Sequence, residues 1–322
     1  MSDLLIQKID RKLHSVQRIL VVSHIRPDGD AVGSLLGLGL SLQAAGRDVQ
    51  MVLSDGVPSS FRYLDGSELV RNKPEGSFDF TCVLDCSDLK RTGEALNGYS
   101  PPDLNVDHHI TNLNFARINL VDTAAVATAE ILAELLPALR LPVTRPVAVA
   151  LLTGLVTDTL GFRTSNMTPK ALRIAADLME KGADLPEIYR QGLVERSFKA
   201  MQYWGAGLEN LERDGRMVWA TLTLANRRAV GYPGRDDADL INVLSSIQDA
   251  DIAIIFVEQP HGRVKVSWRS RPGYDVSQVA LNFGGGGHPS ASGAEIDGDL
   301  QEVRSSVLQA TRALLNGNRQ PE

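Results

Sequence analysis

The residues of this chain best suited to chemistry are carboxylates and imidazoles gathered at four places. They are the stretch His24-Ile25-Arg26-Pro27-Asp28-Gly29-Asp30-Ala31, then Asp85, then Asp107-His108-His109, then Asp158. On a turn, alternate side chains such as Asp28 and Asp30 can face one point. Carboxylates and a neutral imidazole are ligands that a divalent ion such as Mn²⁺ accepts. A capped turn with solvated Asp residues would use the same residue types, since Asp is a common N-cap. The recurrence of the pattern argues against that plainer reading. Four of the six histidines fall in these motifs or in Gly284-Gly285-Gly286-Gly287-His288-Pro289. Asp28, Asp30, Asp85 and Asp158 together carry four negative charges, which two divalent cations would balance. Without metal, converging carboxylates would repel and at least one pKa would rise.

The elements around these residues explain how they can meet. The apolar run 19–22 reads as a buried parallel strand, and the Gly- and Leu-rich run 32–42 as a helix packed on it. Residues 48–53, 79–85 and 104–106 read as further strands, the third ending at Asp85 and the fourth running into Asp107. Residues 4–13, 59–64, 124–136 and 147–157 read as helices, with Asp122 or Thr123 as the cap of the third and Asp158 ending the fourth. Strands alternating with helices predict a parallel sheet with right-handed crossovers, whose strand carboxyl ends share one edge and bind ligands there. Thr168 caps a helix that begins at Pro169 and ends at Gly182. Arg163, just after Asp158, reads either as a bidentate phosphate anchor or as an ordinary loop arginine.

Residues 185–211 read as further helix without chemistry, a connection between domains. A second domain begins near the turn Asp214-Gly215-Arg216. Strands are expected at 217–224, 252–257, 264–268 and 291–296, and helices at 239–247, 276–283 and 300–315. Pro260-His261-Gly262 makes a hairpin-like turn. The four consecutive glycines leave backbone N–H groups open to a ligand, since no Cβ intervenes. With His288 and Arg269 near Gly285, Gly286 and Gly287, this region reads as an anion or nucleotide pocket. The expected architecture is α/β: an N-terminal parallel-sheet domain over residues 1–190 with helices on both faces, a helical linker over 191–213, and a smaller C-terminal α/β substrate-binding domain over 214–322.

At 322 residues the chain is long enough for about two domains, and 43% hydrophobic with 22% charged residues is a globular composition. The formal net charge of −6 argues against duplex DNA, which needs many phosphate contacts. No apolar run reaches the ~18 residues of a membrane span, and no signal-peptide core stands at the N-terminus. Cys82 and Cys86 share one predicted strand and read as buried thiols. These features fit a reducing cytoplasm.

The motifs His-x-x-Pro-Asp-Gly-Asp-Ala at 24–31, Asp85, Asp-His-His at 107–109 and Asp158 resemble those of the DHH phosphoesterase superfamily, in the same order. Gly-Gly-Gly-His at 285–288 looks like the signature of its associated C-terminal substrate domain. The match covers nearly the whole chain and points to the nanoRNase and 3′-phosphoadenosine 5′-phosphate phosphatase branch. The resemblance implies two divalent ions, usually Mn²⁺. His24, Asp28 and Asp85 would hold one; Asp30, Asp85, His108 and Asp158 would hold the other, with Asp85 bridging ions ~3.5–4 Å apart. It further implies a bridging hydroxide attacking phosphorus in line, His109 as a hydrogen-bonding or general-acid group, and Asp107 orienting His108 or His109. Arg163, Arg269, His288 and Gly285 to Gly287 would hold the substrate's far end. The implied substrates are very short RNA and 3′-phosphoadenosine 5′-phosphate, and members often form homodimers. The alternatives are a cyclic di-AMP or linear dinucleotide phosphodiesterase, a manganese pyrophosphatase and a nucleotide-binding regulator without turnover.

Overall fold

The computed structural model describes residues 3–317; Met1, Ser2 and residues 318–322, at the outer ends of the two expected domains, lie outside the described residues. The chain divides into two compact units, Met1–Glu195 and Arg196–Glu322. Among the described residues no helix is long and apolar enough to cross a membrane.

The first unit is built on five strands: β1 (Arg18–Val22), β2 (Asp48–Val52), β3 (Phe80–Leu84), β4 (Leu104–Asp107) and β5 (Ile118–Val121). Their order is β2-β1-β3-β4-β5 and every pair is parallel. The first four match the expected strands. The fifth was not expected, because Ile118-Asn119-Leu120-Val121 is short and flanked by polar loops, so its alternation is too brief to stand out. The helices are α1 (Asp3–His14), α2 (Gly29–Ala44), α3 (Thr128–Ala138), α4 (Arg145–Asp158), α5 (Pro169–Glu180) and α6 (Leu185–Tyr189). Residues 59–64, expected as a short helix, form only a 3₁₀ turn at Ser59–Phe61.

Alternate strand residues divide between two cores, as the period of two requires. Ile19, Val21, Cys82, Leu84, Leu104, Val106, Ile118 and Leu120 join the helices in one large cluster. Leu20, Val22 and Val52 face the other way and pack on Ala95, Leu96 and Phe78. Helices on both faces were expected; this second cluster contains no α-helical residue. The β3–β4 connection forms a 3₁₀ turn at Leu89–Thr92 and then bends at Gly93 and Gly98, both at positive φ, so it covers the sheet without a long crossover helix.

Helices α2 and α4 are buried on nearly all sides, which explains their lack of a polar stripe. They approach closely through small residues: a Cβ at Gly33 would lie 2.4 Å from the Ala150 carbonyl oxygen.

The second unit contains α7 (Phe198–Glu209), β6 (Glu212–Asp214), β7 (Met217–Leu222), α8 (Leu224–Val230), α9 (Leu240–Leu244), β8 (Ile252–Gln259), β9 (Arg263–Ser270), α10 (Val276–Asn282), β10 (Gly286–His288), β11 (Ala291–Asp297) and α11 (Leu300–Gly317). The sheet order is β10-β11-β9-β8-β7-β6, with only β7 and β8 parallel. The continuous helix expected over 185–211 is broken. A π-helical turn at Arg190–Val194 follows α6, Glu195 is extended, and Ser197 caps a new helix by accepting from the Ala200 N–H. The strand expected over 217–224 stops two residues early because Thr223 and Asn226 form a capping box that starts α8.

Candidate metal centre

The expected metal residues all stand where strands or a helix end. His24 follows β1, and Asp28 caps α2 through Oδ1, which accepts from the N–H groups of Asp30 and Ala31 at 3.1 and 3.0 Å. Asp85 directly follows β3 in the left-handed region, with φ 54°, a conformation Asp tolerates better than most residues. Its N–H donates to the Val106 carbonyl at 2.9 Å, which fixes it against β4. Asp107 ends β4 and leads into His108 and His109, and Asp158 ends α4. The parallel sheet thus delivers its chemistry to one edge.

Both metal-type imidazoles are held the same way. His24 Nδ1 donates to the Ile25 carbonyl at 2.9 Å, and His108 Nδ1 donates to the Ala125 carbonyl at 3.3 Å. Each ring therefore turns Nε2 towards carboxylates, the arrangement that orients a metal-binding histidine. His24 Nε2 lies 3.3 Å from Asp85 Oδ2 and 3.8 Å from Asp28 Oδ1. His108 Nε2 lies 3.7 Å from Asp85 Oδ1 and 3.5 Å from Asp158 Oδ2. The two oxygens of Asp85 thus face two different imidazoles. In each of the sets His24, Asp28, Asp85 and Asp30, Asp85, His108, ligand atoms lie within 4.8 Å of one another. Oxygen and imidazole donors at this spacing fit a pair of divalent cations.

Asp85, Asp107 and His109 also come within 4.8 Å. Asp107, however, is already engaged. Its Oδ1 accepts from the His108 N–H at 2.9 Å and His109 Nδ1 at 2.7 Å, and its Oδ2 accepts from Asn112 Nδ2 at 2.5 Å. Asp107 thus holds the His109 ring through a hydrogen bond to Nδ1.

The charges are strongly coupled. Burial, followed by the charges of Asp85 and Asp158, drives the Asp30 carboxyl well above the usual carboxylate range. Burial pushes Asp85 the same way, but the hydrogen bond from His24 and the charges of the three imidazoles outweigh it and hold Asp85 below that range. Burial acts to lower His24, His108 and His109; carboxylates, Asp85 for all three and Asp107 most directly for His109, outweigh it and raise each imidazole. Asp85 and the three imidazoles thus favour one another's charged forms.

Four residues at this centre, Ser34, Asn112, Thr128 and Ala129, were not expected from sequence. Asp30 Oδ2 accepts from the Thr128 N–H at 2.6 Å, and Oδ1 accepts from the Ala129 N–H at 2.9 Å and the Ser34 hydroxyl at 3.1 Å. The Thr128 hydroxyl donates to Asp85 Oδ1 at 3.0 Å. The cap of α3 expected at Asp122 or Thr123 is therefore corrected. The N-cap position is Ala127, which has no side-chain cap, and Asp30 takes the first-turn N–H groups from across the site. Asn112 is the fourth, and nothing in its local sequence marks it.

The expected substrate residues are placed as follows. Arg163 is exposed on the turn after α4, where its backbone N–H donates to the Thr159 carbonyl at 3.0 Å. In the second unit, Arg269 pairs with Ala291, and Ala291 pairs with His288. Directly opposed residues share a face, so Arg269 and His288 project from the same side of the sheet, two strand spacings or ~10 Å apart. Arg269 donates through Nη1 to its neighbour's carbonyl, Trp268, at 3.0 Å and through Nε to Asn242 at 3.3 Å. The glycine run is only in part the open loop expected. The N–H groups of Gly284 and Gly285 donate to Leu281 and Ala280 and close α10, and Gly286–His288 is edge strand β10. Gly285 and Gly287 are needed for close approach to β11: a Cβ would lie 2.2 Å from the Gly293 carbonyl oxygen and 2.5 Å from that of Ala291. A Cβ at Gly286 would meet open space.

Comparison with known proteins agrees with this geometry. The model of the DHH family, N-terminal domain, matches residues 18–155, and that of the DHHA1 domain matches residues 229–316. The chain is 33% identical to the bifunctional oligoribonuclease and PAP phosphatase NrnA of Thermus thermophilus, over 91% of this chain and 89% of that protein. The chain belongs to the DHH family. Within that family it is also 26% identical to the NrnA of Bacillus subtilis, over 89% of this chain and 91% of that protein. The crystal structure of an exopolyphosphatase-related protein from Bacteroides fragilis has a TM-score of 0.87 and 26% identity, covering 97% of this chain and 96% of that one. The DHH match contains every residue of the metal centre except Asp158, which lies just beyond it, and the DHHA1 match contains Arg269 and the glycine run.

Proposed function

We propose that this DHH-family hydrolase uses two divalent ions, Mn²⁺ by the character of its ligands, to cleave short oligoribonucleotides to mononucleotides and 3′-phosphoadenosine 5′-phosphate to AMP and phosphate. The observation that carries the reading is the division of Asp85 between two sets of ligands, with Oδ2 towards His24 and Oδ1 towards His108. His24 and Asp28 would complete an outer pocket, and Asp30, His108 and Asp158 an inner one. Bound there, divalent ions neutralise phosphoryl oxygens and lower the pKa of water. The protein's own groups supply the rest. Asp107 fixes the His109 ring through Nδ1, and that hydrogen bond favours the imidazolium, the form that would give a proton to the leaving oxygen. The substrate assignment is supported by the activities for which the relatives in Thermus thermophilus and Bacillus subtilis are named.

Charge favours short substrates. Two divalent ions would cancel Asp28, Asp30, Asp85 and Asp158, so the substrate's further phosphates need separate cations. We assign this role to Arg163 in the first unit and, in the second unit, to Arg269 and His288, on the sheet that carries the open position at Gly286. A chain of net charge −6 offers little attraction to a long polyanion such as duplex DNA.

The test is product analysis with purified protein and Mn²⁺. 3′-Phosphoadenosine 5′-phosphate, a 5′-phosphorylated diadenylate, a long RNA, cyclic di-AMP and pyrophosphate are offered in parallel. Fast conversion of the first two with the long RNA spared is the expected result. Preferential cleavage of cyclic di-AMP or pyrophosphate, or no turnover at all, would contradict the assignment.

A further inference from the structure

Asp30 and Asp85 sit on different elements, and Thr128 touches both. Its N–H donates to Asp30 Oδ2 at 2.6 Å and its hydroxyl to Asp85 Oδ1 at 3.0 Å. A carboxylate offers about four acceptor positions. Asp30 uses two on Oδ1, for Ala129 and Ser34, and one on Oδ2, so the position left for an ion lies on Oδ2. Asp85 Oδ1, the oxygen facing His108, is likewise held by a donor. The inner pocket is therefore already arranged: Asp30, Asp85 and His108 are all buried, and Asp158 is 29% exposed. The outer pocket is different. The Asp28 side chain is 61% exposed, and its Oδ1 is engaged in capping its own helix.

Without an ion, Asp30 and Asp85 repel each other. Donors from one residue to both hold them facing the same point. If the hydroxyl were lost, Asp85 would be free to swing towards His24, its partner at 3.3 Å, which favours the outer set. We propose that Thr128 is a positioning residue that sets the inner pocket before an ion arrives and makes it the tighter of the two. The inference rests on the two-ion reading given above.

The test is calorimetric titration of the full chain with Mn²⁺. Wild-type protein should show two classes of site separated by about tenfold or more, and Asp28→Asn should remove the weaker class. Thr128→Val keeps the shape and the N–H but loses the hydroxyl. It should weaken the tighter class by about 10–100-fold, the usual effect of losing a partner behind a ligand, and leave the weaker class no weaker than in the wild type. Thr128→Ser should restore it. Should the valine variant fail to fold by circular dichroism, Thr128→Ala makes the same comparison. Equal weakening of both classes, an unaltered tight class, or a serine variant as weak as valine would overturn the inference. Wild-type protein binding a single ion would instead contradict the two-ion reading, so the two failures are distinguishable.

Discussion

Adding one methyl group at Gly154 should disable the inner pocket without replacing a ligand. Gly154 lies on α4 against the first turn of α2. A Cβ there would stand 2.7 Å from Asp30 Oδ1, 2.8 Å from Ala129 Cβ and 3.3 Å from Asp30 Cα, against the 3.4 Å at which ordinary contact begins. Neither of the two closest neighbours is the loose end of a side chain. Three donors hold the Asp30 carboxylate, and Ala129 Cβ is fixed to the start of α3. Relief requires a shift of roughly 0.7 Å, more than the tolerance of ~0.2 Å for metal–ligand distances. Overpacking costs about 1–3 kcal/mol, while alanine returns up to ~1 kcal/mol of helix propensity, so the net stability loss is small. At ~2–4 °C per kcal/mol, Tm should fall by a few degrees. Nothing offsets the displaced ligand, so Mn²⁺ affinity of the inner site should fall by about tenfold or more. Gly37→Ala is the control. It lies in the same helix seam, but its Cβ would meet Leu151 Cδ2 at 2.5 Å and Cγ at 2.9 Å, a side chain that carries no ligand atom. Calorimetry and the Tm increase on adding Mn²⁺ read both variants. A folded Gly154→Ala protein with wild-type Mn²⁺ affinity, or an equal loss in Gly37→Ala, would refute the reasoning.

Three further outcomes are expected. Raised imidazole pKa values stabilise the metal-free fold below the ordinary value of 6.5, and that stability is lost as pH rises through the folded values of His24, His108 and His109. The metal-free Tm should therefore decline above about pH 6.5, while the gain on adding Mn²⁺ grows as ions replace protons on Nε2; a pH-independent gain in a melting series would count against this. Asp85→Asn removes the shared carboxylate and should lower turnover by about 10³-fold or more, with fewer ions bound per chain; turnover at the wild-type rate would sink the assignment of the centre. His109→Gln should lower kcat by about 10²–10⁴-fold with Mn²⁺ affinity preserved; calorimetry showing a lost ion would make His109 a ligand instead.

The residues of the candidate metal centre were legible because each stands at the end of an element that hydrophobic pattern alone can place. β1, β3 and β4 are apolar runs, and the residues that end or follow them are charged. The parallel topology then requires those ends to share an edge. What was not legible depends on contacts between elements distant in sequence. Asp30 caps α3, nearly a hundred residues away in the chain. The local choices Asp122 and Thr123 looked adequate because a cap supplied across a site leaves no mark beside the helix it caps. The absence of a capping side chain at Ala127 was the one available sign. The local structure of the glycine run was legible only in part, for a related reason. Glycine permits approach by a ligand and by another strand equally, and at Gly285 and Gly287 the neighbour is β11. Strand β5 was too short for its alternation to separate it from a loop.

The central claim is that Asp85 stands between two ions. Its most direct test is anomalous diffraction from crystals grown with Mn²⁺. The account predicts two peaks ~3.5–4 Å apart on either side of Asp85, one beside His24 and Asp28 and the other beside Asp30, His108 and Asp158. A single peak, or a peak held by Asp107 and His109, would contradict it.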